Sequence, residues 1–408
     1  MKILDVAKAA LYGIFLNYYC YYTLTGSFIP GGTMLFLAIA ILCVGVDVLW
    51  QRRVRMGREI GCWIVYVILA FVSTSLFVLD GSNISYVGDI IKLAQRLSIV
   101  MMVAYICERE KSIRFGLRLM AVTAVANAAA VLLVTDDIQT KLGISTSADL
   151  SANDVGANMA FGCFAILFAW GRRGRTSPLL WGLKVAGIVA CLTVIFLTGS
   201  RKSIIAVVIM AGMFLLLCLR DYGKRMNIRT IITVMIVGAV AWMFISENLL
   251  PYAEQTNLYT RMLGRGAERT AQSDEGRIQL LRYALEEFAA HPLFGVGFNQ
   301  FRKLHGNYTH NTYLEPLACS GLLGLLYLYP YYLIIKKQLC LIARNKRGSS
   351  DRLKQKELLI YLCMALFVGA GIPYMYKDVP CILLGTFIAS QAISFEQLRG
   401  KGDLSANY

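Results

Sequence analysis

The sequence holds only three histidines, His291, His305 and His310, and all fall between residues 247 and 311. Histidine titrates closest to neutrality, so it is the first candidate for moving a proton. His291 precedes Pro292 at a predicted helix end, where an imidazole can cap carbonyls. His305 lies among Arg302, Lys303 and Gly306, a solvated setting. His310 differs: it sits in T-H-N-T-Y-L-E (Thr309–Glu315), beside Asn311 and Glu315, where a polar stretch enters an apolar run. Arginines crowd the same region as Arg261, Arg265, Arg269, Arg277, Arg282 and Arg302. T-G-S-R-K-S (Thr198–Ser203) adds Arg201 and Lys202 at a turn between two apolar runs. Lys92 and Arg96 stand inside a further run, where charge is costly and usually functional; snorkelling to headgroups, or pairing of Lys92 with Asp89, is the bland account. A guanidinium binds phosphate oxygens as a two-pronged fork. One imidazole among several such cations suits group transfer from a diphosphate. His310 would take a proton from an incoming hydroxyl, and the arginines would neutralise the departing diphosphate.

Composition says where this chemistry must sit. Of 408 residues, 57% are hydrophobic and 16% charged, against about 25% charged in a soluble domain. Mean hydropathy is +0.56. These values exclude a disordered chain, a secreted disulfide scaffold and an ordinary cytosolic enzyme. They predict an all-α polytopic membrane protein. Runs long enough to cross a bilayer fall near 9–26, 33–50, 60–79, 84–107, 113–134, 155–171, 179–199, 202–219, 230–246, 312–335, 358–375 and 379–397, about twelve spans. Met1–Lys8 leads straight into the first, without a signal-peptide cleavage pattern. The chain thus divides into spans one to nine (1–246), a long loop (247–311), and spans ten to twelve with a short tail (312–408).

Basic residues give the orientation. Arg52, Arg53, Arg55 and Arg58 follow the second span, and Arg109, Lys111, Arg114 and Arg118 the fourth. Arg172, Arg173 and Arg175 follow the sixth, and Arg220, Lys224, Arg225 and Arg229 the eighth. More lie between Lys336 and Lys356, then at Arg399 and Lys401. The odd-numbered short loops hold few: Lys141, Arg201, Lys202 and Lys377. The positive-inside rule then puts both termini in the cytoplasm and the 247–311 loop outside. It also absorbs much of the net charge of +16, which in a soluble protein would suggest nucleic acid; no nucleic-acid partner is expected. Within the loop, Ser273 can cap a helix that carries Asp274 and Glu275 in its first turn. Ile278, Leu281, Leu285 and Phe288 recur at helical spacing, His291-Pro292 ends the helix, and Gly295-Val296-Gly297 forms a turn. The expected product is an amphipathic helix near the membrane surface.

Rival chemistries find little support. The eleven cysteines show no C-x-x-C spacing and read as apolar packing residues. No D-x-D, Walker sequence, H-E-x-x-H or G-x-S-x-G occurs. Neither a metal nor a cofactor is expected.

Taken in order, Gly276-Arg277, H-P-L-F-G-V-G-F-N-Q-F (His291–Phe301), T-H-N-T-Y-L-E and S-G-L-L-G-L-L (Ser320–Leu326), with T-G-S-R-K-S upstream, resemble the signature of the O-antigen ligase and polymerase superfamily. The resemblance covers roughly residues 195–335. It implies a GT-C-type glycosyltransferase in the plasma (inner) membrane of a bacterium. The implied donor is an undecaprenyl-diphosphate-linked glycan, and the acceptor a glycan or lipid-borne glycan. It also implies that Arg201 and Arg277 contact the diphosphate and that His310 is catalytic; Lys92, Arg96, Lys202, Asn311 and Glu315 join them as candidate substrate contacts. Many members follow the helix arginine with a tryptophan some four residues on, where this chain has Leu280 and Leu281. Ligase and polymerase share the scaffold. The rival from another class is a lipid-linked oligosaccharide flippase or other polytopic transporter. It would need charges lining a cavity reached from both sides. A non-catalytic envelope assembly factor is the third reading.

Overall fold

The computed structural model describes residues 3–23, 32–51, 57–77, 85–134, 152–169, 177–198, 200–222, 267–346 and 349–400, and among these no strand occurs. The predicted ninth span (230–246) and the first part of the long loop lie outside the described residues. The chain forms α1 (Ile3–Thr23), α2 (Gly32–Gln51), α3 (Arg58–Phe77), α4 (Ser85–Arg109), α5 (Arg114–Val134), α6 (Ala152–Phe168), α7 (Pro178–Thr198) and α8 (Arg201–Tyr222). It continues through α9 (Ala267–Ala290), α10 (Gln300–His305), α11 (Glu315–Ser320), α12 (Gly324–Arg344), α13 (Ser350–Gly369) and α14 (Val379–Gly400). Among the described residues, seven helical stretches are long and apolar enough to cross a membrane: α2, α3, α4, α5, α7, the α11–α12 unit and α14. Helices also run through the described parts of the predicted runs at 9–26, 155–171 and 202–219, and through the run at 358–375 as far as Gly369.

Two kinds of apolar surface separate. α14 is buried along most of its length and packs on α4, α5 and α12. By contrast, α2 and α7 expose Leu42, Leu49, Trp50, Leu179 and Trp181. Large apolar side chains turned outward along whole helices suit a solvent of acyl chains.

Charged and polar contacts mark the two ends of the bundle. At one end Lys8 pairs with Glu110, Arg109 with Asp47, and Lys337 with Glu59. At the other end a connected series of contacts gathers the helix termini. The Ser73 hydroxyl at the end of α3 donates to the Phe294 carbonyl (2.5 Å), and Thr74 accepts from the Phe298 amide (2.7 Å). Asn299 donates to Asp89 near the start of α4 (2.8 Å). Arg96, further along α4, pairs with Asp378 just before α14 (3.0 Å).

Three expectations change here. The long-loop helix is already under way at Ala267, so Ser273 lies inside it rather than at its start. The predicted continuous tenth span (312–335) is instead a loop to Leu314, then α11, a 3-10 turn (Gly321–Leu323) and α12. Gly321 adopts φ 59°, and the Leu322 amide donates to the Pro292 carbonyl (2.7 Å), which pins the break. The eleventh run likewise stops as a helix at Gly369, and residues 370–378 fold back through a 3-10 turn (Tyr374–Tyr376) before α14. The expected end at His291-Pro292 and the Gly295-Val296-Gly297 turn are both present, with Gly295 at φ 63° and Gly297 at φ 96°.

The break at Gly321 is testable. A Cβ there would lie 2.5 Å from the Pro292 carbonyl oxygen, while Gly306, at φ 75°, has open space around it. Gly306→Ala is expected to cost about 1 kcal/mol, the strain of a left-handed alanine. Gly321→Ala adds a backbone clash and should cost at least about 3 kcal/mol. Thermal unfolding of the two variants in detergent checks the difference; equal losses would show that Gly321 does not hold the turn.

Candidate active site

The T-H-N-T-Y-L-E loop is built by its own polar side chains. Asn311 Oδ1 accepts from the Tyr313 and Leu314 amides (2.8 and 3.1 Å), closing the turn that leads into α11. Glu315, with no exposed surface, lies beneath the loop. One carboxylate oxygen accepts from the Thr309 amide (2.6 Å) and the other from the Tyr376 hydroxyl (2.8 Å). Thr312 fastens the loop to the fold-back after α13. Its amide donates to the Gly369 carbonyl (2.8 Å), and its hydroxyl donates to the Ile372 carbonyl (2.5 Å) and accepts from the Tyr374 amide (3.0 Å).

Between these anchors, His310 is held at φ 57°. A left-handed conformation at a non-glycine residue costs about 1–2 kcal/mol and persists only where the surroundings impose it. Here Thr309 is tied on one side and Thr312 on the other. The strained residue is the one the sequence marks as the proton carrier. Its ring lies against Tyr308, with centroids 4.4 Å apart.

Cations on three separate elements act on this ring. Burial, then the charges of Arg277, Lys202 and Lys377, hold the His310 imidazole down at about 4. Both causes disfavour the charged ring, so His310 is neutral at pH 7. Arg277 comes from α9 and Lys202 from the first turn of α8. The Lys202 ammonium also donates to the Gly371 carbonyl (3.4 Å). A Cβ on Gly371 would stand 2.2 Å from that nitrogen, so the close approach needs glycine. Lys377 enters from the fold-back. It pairs with Asp154 of α6 (2.8 Å), and its nitrogen lies 5.7 Å from the Tyr308 ring centre. The Arg302 guanidinium stands 5.9 Å from the same ring. Burial pushes the Tyr308 phenol up from its ordinary value, so it stays protonated.

The expected site residues therefore divide. The charges of Arg277 and Lys202 both act on His310. Arg201, half-buried, opens α8 one residue before Lys202, at a start tightened by the Ser200–Ser203 hydroxyl contact (2.8 Å). Arg96 reaches the same fold-back, where its guanidinium engages Asp378 and the Met375 carbonyl (3.4 Å). Lys92 is exposed on α4, while the Asp89 carboxylate accepts from Asn299. Asn311 and Glu315 turn their oxygens inward on the loop. His305 is not solvated as expected. It bonds to Glu287 (2.9 Å) and stacks on Tyr283 with centroids 4.7 Å apart, joining α10 to α9. His291 lies 4.0 Å from the same carboxylate.

Sequence reasoning missed Lys377, Asp154 and Tyr308. Lys377 did carry a signal: like Arg201 and Lys202, it is basic in an odd-numbered short loop. Asp154 carries none beyond being an acid in a helix's first turn.

Two ammonium groups and a guanidinium acting on one uncharged imidazole are a combination that could receive a multiply charged anion with a base nearby. Residues 186–329 match the family model described as O-antigen ligase. The match takes in Arg201, Lys202, Arg277, His310, Asn311 and Glu315, and leaves Lys92, Arg96, Asp154 and Lys377 outside it. No curated protein matches the chain.

The electrostatic arrangement predicts a titration. In the ligand-free protein the His310 ring should titrate near 4, well below the ordinary imidazole value of 6.5. Arg277→Gln should raise that midpoint and leave it below 6.5, because burial is the larger cause. Imidazole NMR, with His291→Gln and His305→Gln to assign the signals, reads it directly; an unmoved midpoint would show that Arg277 does not act on the ring.

Proposed function

We propose that this member of the O-antigen ligase and polymerase superfamily is a glycosyltransferase. It moves a glycan from an undecaprenyl-diphosphate carrier to a hydroxyl acceptor at the outer face of the plasma membrane. One observation carries the reading: a half-buried neutral imidazole on a strained loop, acted on by the charges of cations from three elements. The sidedness follows from charge. The opposite end of the bundle adjoins the arginine-rich connections 52–58 and 109–118 and the lysines after α12, which the positive-inside rule assigns to the cytoplasm. About twelve spans, both termini inside and a GT-C-like arrangement complete the proposal.

The chemistry needs no nucleotide. The acceptor oxygen attacks the anomeric carbon of the donor sugar, and its proton passes to His310. The bond from that carbon to the diphosphate oxygen breaks, and the diphosphate leaves on its lipid. Arg277, Lys202 and Arg201 meet the charge that develops on the leaving oxygens, a contribution that grows in the transition state. Neutrality and basicity are reconciled by the donor itself. In the empty site the cations make His310 a weak base. A bound diphosphate offsets them and raises the ring's affinity for a proton at the moment one must be accepted. Asn311 and Glu315 act as positioning residues, setting the loop that presents His310.

Purified protein given an undecaprenyl-diphosphate-linked repeat unit should form a covalent product and release undecaprenyl diphosphate. A flippase would give neither. His310→Ala and Arg277→Ala should each lower turnover at least about 100-fold while the protein still inserts and stays folded. Normal turnover in both variants would end the assignment.

The pH profile supplies a second test. A general base is lost as pH falls through its pKa, and kcat/KM reports the free enzyme. The acid limb of kcat/KM should therefore lie near pH 4, and that of kcat at higher pH, because the donor's charge raises the ring's pKa. Coincident limbs would show that donor charge does not act on His310.

A further inference from the structure

The family match ends at residue 329, yet a third cation reaches the site from the fold-back before α14. We propose that Lys377, held ready by Asp154, is a diphosphate-binding residue that exchanges its internal carboxylate partner for the donor's phosphate oxygens. The proposal rests on the diphosphate reading above and adds a residue to it from outside the matched segment.

Lys377 and Asp154 form an ion pair at 2.8 Å, with side chains only 14% and 5% exposed. A buried pair that served only to join α6 to the fold-back would be a poor device, since well-packed apolar residues do as well or better. This one adjoins the proposed site through one ring: the ammonium stands 5.7 Å from the ring centre of Tyr308, whose own ring lies against that of His310. The charge of Lys377 also acts on His310 together with those of Arg277 and Lys202. An ammonium on a four-carbon stem is a mobile point charge, able to swing between two anions.

The geometry also makes the exchange inexpensive. Asp154 lies in the first turn of α6. Carboxylates at a helix N-terminus are stabilised by the unpaired amides and the helix dipole. When Lys377 turns to a phosphate, Asp154 is not left as a stranded charge. In the empty site the carboxylate takes the place of the missing anion and keeps a buried ammonium from standing uncompensated.

A staple and a carboxylate-guarded cation predict opposite signs for the two partners. The full chain in detergent is titrated with undecaprenyl diphosphate, and separately with inorganic diphosphate, in the wild type, Lys377→Gln, Lys377→Arg and Asp154→Asn. Thermal unfolding without ligand is measured in parallel. Lys377→Gln should weaken undecaprenyl diphosphate binding about tenfold or more, the value of one charge-assisted hydrogen bond. Lys377→Arg should stay within about threefold of the wild type, since the charge is kept. Asp154→Asn removes the competitor and should bind as tightly as the wild type or more tightly, even if its melting temperature falls. Equal weakening by Lys377→Gln and Asp154→Asn would mark the pair as a staple and overturn the proposal. So would lipid-diphosphate binding that Lys377→Gln leaves unchanged, in which case the donor reading survives without Lys377. Binding of inorganic diphosphate that depends on Lys377, in a protein that ignores the lipid-linked form, would support the cation and remove the donor.

Discussion

A carboxylate sealed beneath a loop organises the rest. Glu315 has no exposed surface, and its two oxygens hold the Thr309 amide and the Tyr376 hydroxyl, which belong to segments more than sixty residues apart. An acid in that position is stable only if it is fully hydrogen-bonded, because an unsatisfied buried charge costs several kcal/mol. The loop and the fold-back must therefore close on it together. Once they do, Thr312 locks onto the Gly369 and Ile372 carbonyls, and His310 has nowhere to go but its left-handed backbone. The strain at His310 is set against hydrogen bonds made one layer below.

The second constraint is electrostatic. Lys202, Arg277 and Lys377 repel one another and would repel an imidazolium. The protein tolerates this by keeping the ring uncharged and by supplying Asp154 and the Gly371 carbonyl as partners for the two ammonium groups. Site and bundle are thereby coupled. Asp154 comes from α6, Lys202 from α8, Arg277 from α9 and Lys377 from the fold-back, so the packing of α6 on α8 and of α8 on α13 bears on the spacing of these charges.

Much of this was legible in the sequence, for identifiable reasons. The side of the membrane is predicted from charge, because lysine and arginine are costly to carry across a bilayer. That bias alone predicts one face for Arg201, Lys202, Arg277 and His310. Helix ends that rely on proline or on paired glycines, such as His291-Pro292 and Gly295-Val296-Gly297, were equally clear, because those residues act through their own backbones. What the sequence concealed was direction about the axis. Asn311 and Glu315 are polar and sit next to His310, but whether a side chain points at a ligand or back at its own loop depends on φ values that composition does not encode. The interruption of the predicted tenth span was hidden for a related reason. Gly321 breaks the helix only because Pro292, far away in the chain, offers its carbonyl there. Lys377 and Asp154 are distant in sequence and meet only once α6 and the fold-back are packed.

The way Thr312 is bonded also bears on how such proteins can be recombined. Its partners, Gly369 and Ile372, lie beyond residue 329, as do Tyr376 and Lys377, while Asp154 lies before residue 186. A chimera that exchanged only the matched segment between two relatives would import the imidazole without the carbonyls that seat it. The matched segment is seated from both sides, by Ser73, Thr74 and Asp89 before it and by Gly369, Ile372 and Tyr376 after it, and an exchange that keeps the loop's shape has to carry those partners along.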